Sequence, residues 1–161
     1  MSLIAAGSIP SLTPSADQPA DQVLQPDEFW PEVSLSELRE VQRVDDNVTD
    51  ERALFELRNA IFEINPQLLL VRSAAIEAGS ENFSEVYVSS YDMERMTHQY
   101  KQAVYNEAKA RLLENYRDIS TTALGADKAK EMVGRIKTCR VRVVEAVRTI
   151  KGKPRLTAEL I

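Results

Sequence analysis

The chain has 161 residues, 43% of them hydrophobic and 28% charged, with a formal net charge of −5. That size and balance fit one soluble domain with a single core, and exclude a wholly disordered chain or two full domains. No run approaches the roughly 20 apolar residues that span a bilayer. Residues 1–14 lack the basic start and apolar stretch of a secretory signal, so the chain is expected to stay in the cell that makes it unless it leaves inside a larger particle.

Residues 1–28 hold four prolines, several acids and no Lys or Arg, a composition that cannot form a core alone and predicts an extended acidic arm. Phe29-Trp30-Pro31 then opens the folded part. Ser34-x-x-Glu37 is a capping box, in which the serine takes an orphan amide and the glutamate reaches back to the cap. It predicts a short helix from about Leu35 to Val44. Asp45-Asp46-Asn47 form a turn, and Thr49 caps the next helix with Asp50 and Glu51 in its first turn.

That second helix is predicted to about Ala78. Leu54, Leu57, Ile61, Ile64, Leu68, Val71 and Ala75 alternate three and four apart, a heptad stripe. Pro66 predicts a kink or break near Asn65-Pro66, and Gly79 a helix stop. Residues 79–91 form a loop in which Asn82 to Ser89 favours a short extended piece. A third helix is predicted over about Asp92 to Arg117, with Tyr100, Val104, Ala108 and Leu112 as its ridge. A polar turn through Gly125 leads to a fourth over about Asp127 to Lys151, where Ala129, Met132, Ile136, Cys139, Val143, Ala146 and Ile150 repeat the stripe. Past Gly152, Leu156, Ala158 and Leu160 alternate, which predicts a strand-like tail suited to adding to another protein's sheet edge.

The fold expected is therefore all-α: an up-down bundle of three long helices and one short one. Its parts are an extended arm over 1–28, an adaptor body over 29–152 and a partner-binding tail over 153–161.

The sequence offers little to catalysis. Cys139 is the sole cysteine, so no internal disulfide or cysteine metal site can be built. The one histidine, His98, sits at helical spacing from Glu94 and Gln102, as a surface histidine does. No zinc spacing, glycine-rich phosphate loop or nucleophile elbow appears. The expectation is a protein without enzymatic activity, cofactor or metal.

Charge is segregated. Residues 1–90 carry sixteen acidic and five basic side chains, and residues 91–161 nine acidic and fifteen basic. Lys128, Arg135 and Arg142 recur every seven residues, Lys130 and Lys137 run nearby, and Lys151 and Lys153 extend the basic end. Such a stripe is commonly a solvated helix face. Functionally it suits an acidic protein surface or DNA phosphates, and the absence of interleaved aromatics argues against base stacking. Phe29 and Trp30 likewise have two roles open: a lid that fixes the arm on the bundle, or an anchor for a partner.

Three blocks resemble a known family. Phe29-Trp30-Pro31-Glu32-Val33 with Leu35-Ser36-Glu37-Leu38-Arg39, then Tyr100–Tyr105 with Leu113–Asp118, and finally Gly152–Ile161 are similar to the head completion protein of P2-like tailed phages. The resemblance spans about residues 29–161. It implies a virion structural protein at the neck, present in the host cytoplasm during assembly. It would act after DNA packaging, ring the portal vertex, stabilise the filled head and offer a surface to the tail or its terminator. Twelve copies follow by analogy with other head–tail adaptors.

In that setting Arg155, Leu156, Thr157, Ala158, Leu160 and Ile161 are the expected portal contacts, and Phe29 and Trp30 anchor the arm. Lys128, Arg135, Lys137, Arg142, Lys151 and Lys153 would meet packaged double-stranded DNA, without sequence preference, or an acidic surface. The alternative is a helical nucleic-acid-binding or regulatory protein using the basic half; a coiled-coil adaptor unrelated to phage is a third.

Overall fold

A computed structural model describes residues 21–120 and 125–153. The protein is mostly helical. In chain order it has β1 (Val23–Leu24), β2 (Val33–Ser34), α1 (Leu35–Gln42), α2 (Asp50–Gln67), α3 (Leu69–Glu77), a 3₁₀ turn (Phe83–Val86), α4 (Ser90–Ser120) and α5 (Ala126–Ile150).

The N-terminal caps follow local side-chain chemistry. Ser34 Oγ accepts the Glu37 amide at 3.1 Å, and Thr49 Oγ1 accepts that of Arg52 at 3.4 Å. The other half of the capping box differs from expectation. Glu37 does not reach back to its cap. Its Oε2 accepts from Tyr105 Oη at 2.8 Å and Lys101 Nζ at 2.6 Å, and Tyr105 Oη in turn accepts the Ser34 amide at 3.0 Å. A residue of α4 thus completes the cap of α1.

Three helices end in a left-handed residue whose successor's amide bonds five residues back, the arrangement that satisfies orphan carbonyls. The left-handed residues are Gly79 and Gly152, which have no Cβ to clash, and Arg43 (φ 47°).

The predicted second helix is two helices, and they divide at Leu68 rather than at Pro66. Proline lacks the N–H that would bond to Phe62, so the last turn of α2 tightens and Leu68 N bonds to Asn65 O at 3.1 Å. The extended piece expected over Asn82–Ser89 is a 3₁₀ turn instead. Asn82 Oδ1 takes the amides of Ser84 and Glu85, which a lone strand would leave unpaired, and Phe83 is driven into the core.

Residues 21–28 fold back as well. Val23 pairs with Ser34 and Leu24 with Val33, antiparallel. Asp21 takes the hydroxyls of Ser34 and Ser36 at 2.5 and 2.7 Å and the Ser36 amide at 3.1 Å. These bonds hold its fully exposed carboxyl below the usual carboxylate range.

The middle of α4 is the centre of the molecule. All eight residues from Ala103 to Ala110 are buried, over more than two full turns, so every side of the helix is covered there. Contacts from three directions account for this. Tyr105 and Lys101 meet the start of α1, Asn115 and Tyr100 bond to Glu56 and Asn65 of α2, and Glu107 and Glu114 pair with Arg140 of α5. The Asn115–Glu56 and Tyr100–Asn65 pairings make α4 antiparallel to α2. The main core joins α1, α2, α4 and α5. A small satellite of Ala110, Leu113, Ile136 and Cys139 lies nearer the start of α5.

Candidate interaction surfaces

The aromatic block that opens the folded region is interior. Trp30 is 2% exposed and lies parallel on the ring of Tyr100, with centroids 5.0 Å apart. Phe29 meets it edge-on at 4.9 Å, and Phe83 lies 5.3 Å away. Asp27 Oδ1 accepts the amides of both Phe29 and Trp30, and its other oxygen meets Arg72, whose guanidinium also sits over the Phe29 ring. Phe29 O accepts the Phe83 amide at 2.8 Å. Pairs of this kind add about 0.5–1.5 kcal/mol each beyond area burial. The arm's entry is fixed to α3, α4 and the 3₁₀ turn by rings, backbone and charge together.

A chain of charges is built around one buried carboxylate. Glu107, 1% exposed, accepts from Arg111 Nε at 2.8 Å and from Arg140. Arg140 makes a second, two-pronged contact to Glu114 at 3.0 Å. Burial alone would make the Arg140 guanidinium easier to deprotonate, but its bonds to Glu107 and Glu114 outweigh that and hold it above the ordinary value. Arg111 reaches on to Glu63 of α2 at 3.7 Å. The network therefore spans α2, α4 and α5, and its partners are satisfied in the way a buried charge requires.

A groove of about 330 Å³ opens between the α1–α2 turn and the α4–α5 hairpin. Val44, Val48, Leu112 and Met132 form its apolar walls, and Arg52, Lys109 and Arg135 its cationic groups. Lys109 is itself buried and donates to Arg43 O at 3.2 Å. Burial, with Arg135 nearby, lowers its affinity for a proton.

The basic side chains singled out in the sequence are not all on one face. Arg135 and Arg142 line a shallow depression beside this groove, with Lys128 seven residues before Arg135 on the same helical line. Lys137 is exposed on α5, and Lys151 and Lys153 are exposed just past its end. The expected tail contacts Arg155, Leu156, Thr157, Ala158, Leu160 and Ile161 lie outside the described residues.

His98 is exposed beside Tyr91, Glu94 and Arg95. Among the described residues no cluster of three or more His, Cys, Asp or Glu could hold a metal, and no helix is long and apolar enough to cross a membrane.

Residues 24–161, which include the aromatic latch, α4 and the basic helix, match the family model described as phage head completion protein (GPL). The chain belongs to that family. It is similar to the head completion/stabilization protein of Escherichia phage P2, with 29% identity over 150 residues covering 92% of this chain and 87% of that one. No solved structure matches. A phage head completion protein is a structural component of the virion rather than an enzyme.

Proposed function

We propose that this head completion protein forms a ring on the portal vertex once DNA is packaged, stabilises the filled head and presents the surface to which the tail or its terminator binds. The observation that carries this reading is the family match over residues 24–161, with the P2 head completion/stabilization protein as a relative along most of both chains. In this reading the helices act as an up-down bundle at the virion neck, twelve copies following the portal by analogy with other adaptors. The arm over 1–28 is latched by Phe29 and Trp30. The tail over 153–161 carries the portal contacts Arg155, Leu156, Thr157, Ala158, Leu160 and Ile161, with alternating apolar side chains suited to adding a strand to a sheet edge. Lys128, Arg135, Lys137, Arg142, Lys151 and Lys153 meet packaged DNA or an acidic partner surface by charge alone.

The test is truncation. Deleting 153–161 removes nothing from the core described above, so the helical signal and melting temperature should hold while co-sedimentation with portal rings is lost. Full retention on portals would overturn the tail's role. The competing reading, a free nucleic-acid-binding protein, rests on the exposed lysines of α5. It requires a gel shift on bare duplex that falls steeply between low and moderate salt.

A further inference from the structure

A second apolar line runs along α2 into α3 and is not used by the core. Phe55, Phe62 and Leu69 stand seven residues apart and are 59%, 72% and 55% exposed, with Leu70 beside them at 83%. The buried set Leu54, Leu57, Ile61 and Ile64 faces α4, so this line looks away from it. Single exposed apolar residues are ordinary, but two phenylalanines and two leucines on one side of about 21 Å of helical chain are more than scattered singles, as at an interface.

The outer side of α5 carries a counterpart. Val133, Val141 and Val144 are 50%, 48% and 48% exposed. They are turned away from Ile136, Cys139, Val143 and Ala146, which face α4. Lys130 and Lys137 are exposed beside them, and Lys151 just past the helix end. The two ridges differ in size and in charge. The α2–α3 ridge offers large apolar side chains bordered by exposed Glu51 and Glu77, balanced in part by Arg58. The α5 ridge offers small branched side chains among lysines.

Pairing α5 with α5 would set those lysines against one another, and pairing α2 with α2 would stack protruding rings with no recess to receive them. Pairing α2 with α5 sets rings against smaller valines and glutamates near lysines.

We propose that the outer face of α2–α3 in one copy docks on the outer face of α5 in the next copy of this chain. The contact is heterologous, using two different faces per molecule, and so it propagates around a closed ring. It rests on the head-completion reading only in that a ring supplies the neighbouring copy.

The experiment uses the full chain in a Cys139→Ala background. Phe62→Cys and Val141→Cys are purified separately, then mixed and oxidised, both in solution and on filled heads. The expected result is a disulfide-linked dimer in the mixture and little in either variant alone. A dimer from Phe62→Cys alone would mean a two-fold contact and would overturn the proposal, as would no dimer from the mixture in either setting. In parallel, Phe62→Glu should keep the wild-type circular dichroism and melting temperature and weaken self-association on the order of tenfold or more by sedimentation; unchanged self-association would overturn the proposal. Attachment to filled heads is scored independently. Attachment without the 62–141 link sinks the interface and leaves head completion standing, and the link without attachment does the reverse.

Discussion

Tyr105, at the centre of α4, accepts the backbone amide of Ser34, the residue that caps α1 71 positions earlier in the chain. The same hydroxyl donates to Glu37, so one oxygen joins the start of the first helix to the middle of the molecule. Tyr105→Phe keeps the ring and removes the relay. It leaves the Ser34 amide without its acceptor, a loss expected to cost about 1–3 kcal/mol. Urea unfolding should show a lower midpoint with an unchanged slope; a shift under about half a kcal/mol would mean that another group satisfies the cap.

The pairing of Glu107 with Arg140 predicts an asymmetric response. Arg140→Met leaves a buried carboxylate with Arg111 as its remaining cation, so the loss should be about 2–3 kcal/mol, below the 3–5 of a fully orphaned charge. Adding Glu107→Met should recover part of that loss, since the uncompensated charge goes with it. A double variant less stable than the single one would contradict this account of the network.

Arg43 ends α1 in a left-handed conformation with φ at 47°, where a Cβ is strained. Its side chain makes no hydrogen bond or ion pair among the described residues, while its carbonyl receives Lys109. Arg43→Gly should therefore stabilise, by up to about 1 kcal/mol after the greater freedom of glycine in the unfolded chain is discounted. A calorimetric melting temperature that falls would count against it.

Asp21 gives the fold a pH dependence with a definite sign. Its folded pKa is lowered by the Ser34 and Ser36 hydroxyls and then the Ser36 amide. Its contribution is therefore fully present above the unfolded value near 3.9 and is lost as pH falls through the lower folded value. The contact should survive mild acid, to below about pH 4. Protection of the Ser36 amide, taken relative to its intrinsic exchange rate, should fall only under that acid, and should already be low at neutral pH in Asp21→Ala.

Much of the helical skeleton is written in local signals: Ser34 and Thr49 as caps, Gly79 and Gly152 as stops, and the three-four stripes of α2 and α5. What escaped the sequence depended on distant partners. Glu37 is spaced for a capping box, and only Tyr105, remote in sequence, diverts it. Val23 and Leu24 sit in a segment whose composition reads as an unstructured arm, and they become a strand because Val33 lies across from them.

Glu107 looks like any helical glutamate until Arg140 arrives from another helix. Phe55, Phe62 and Leu69 also stand seven residues apart, but spacing alone does not say which of two apolar lines a neighbouring helix covers. The basic residues of α5 divide because every seventh position keeps one line only, and Lys137 and Lys151 do not fall on the line of Lys128, Arg135 and Arg142.

The eight consecutive buried residues from Ala103 to Ala110 make a helix with no outside. An ordinary surface helix gives mutation somewhere harmless to land every third or fourth position. Here there is no such position, and the alanines at 103, 108 and 110 leave neighbouring elements too close for added bulk. In a saturation scan this short segment should stand out as a solid block of intolerance within α4.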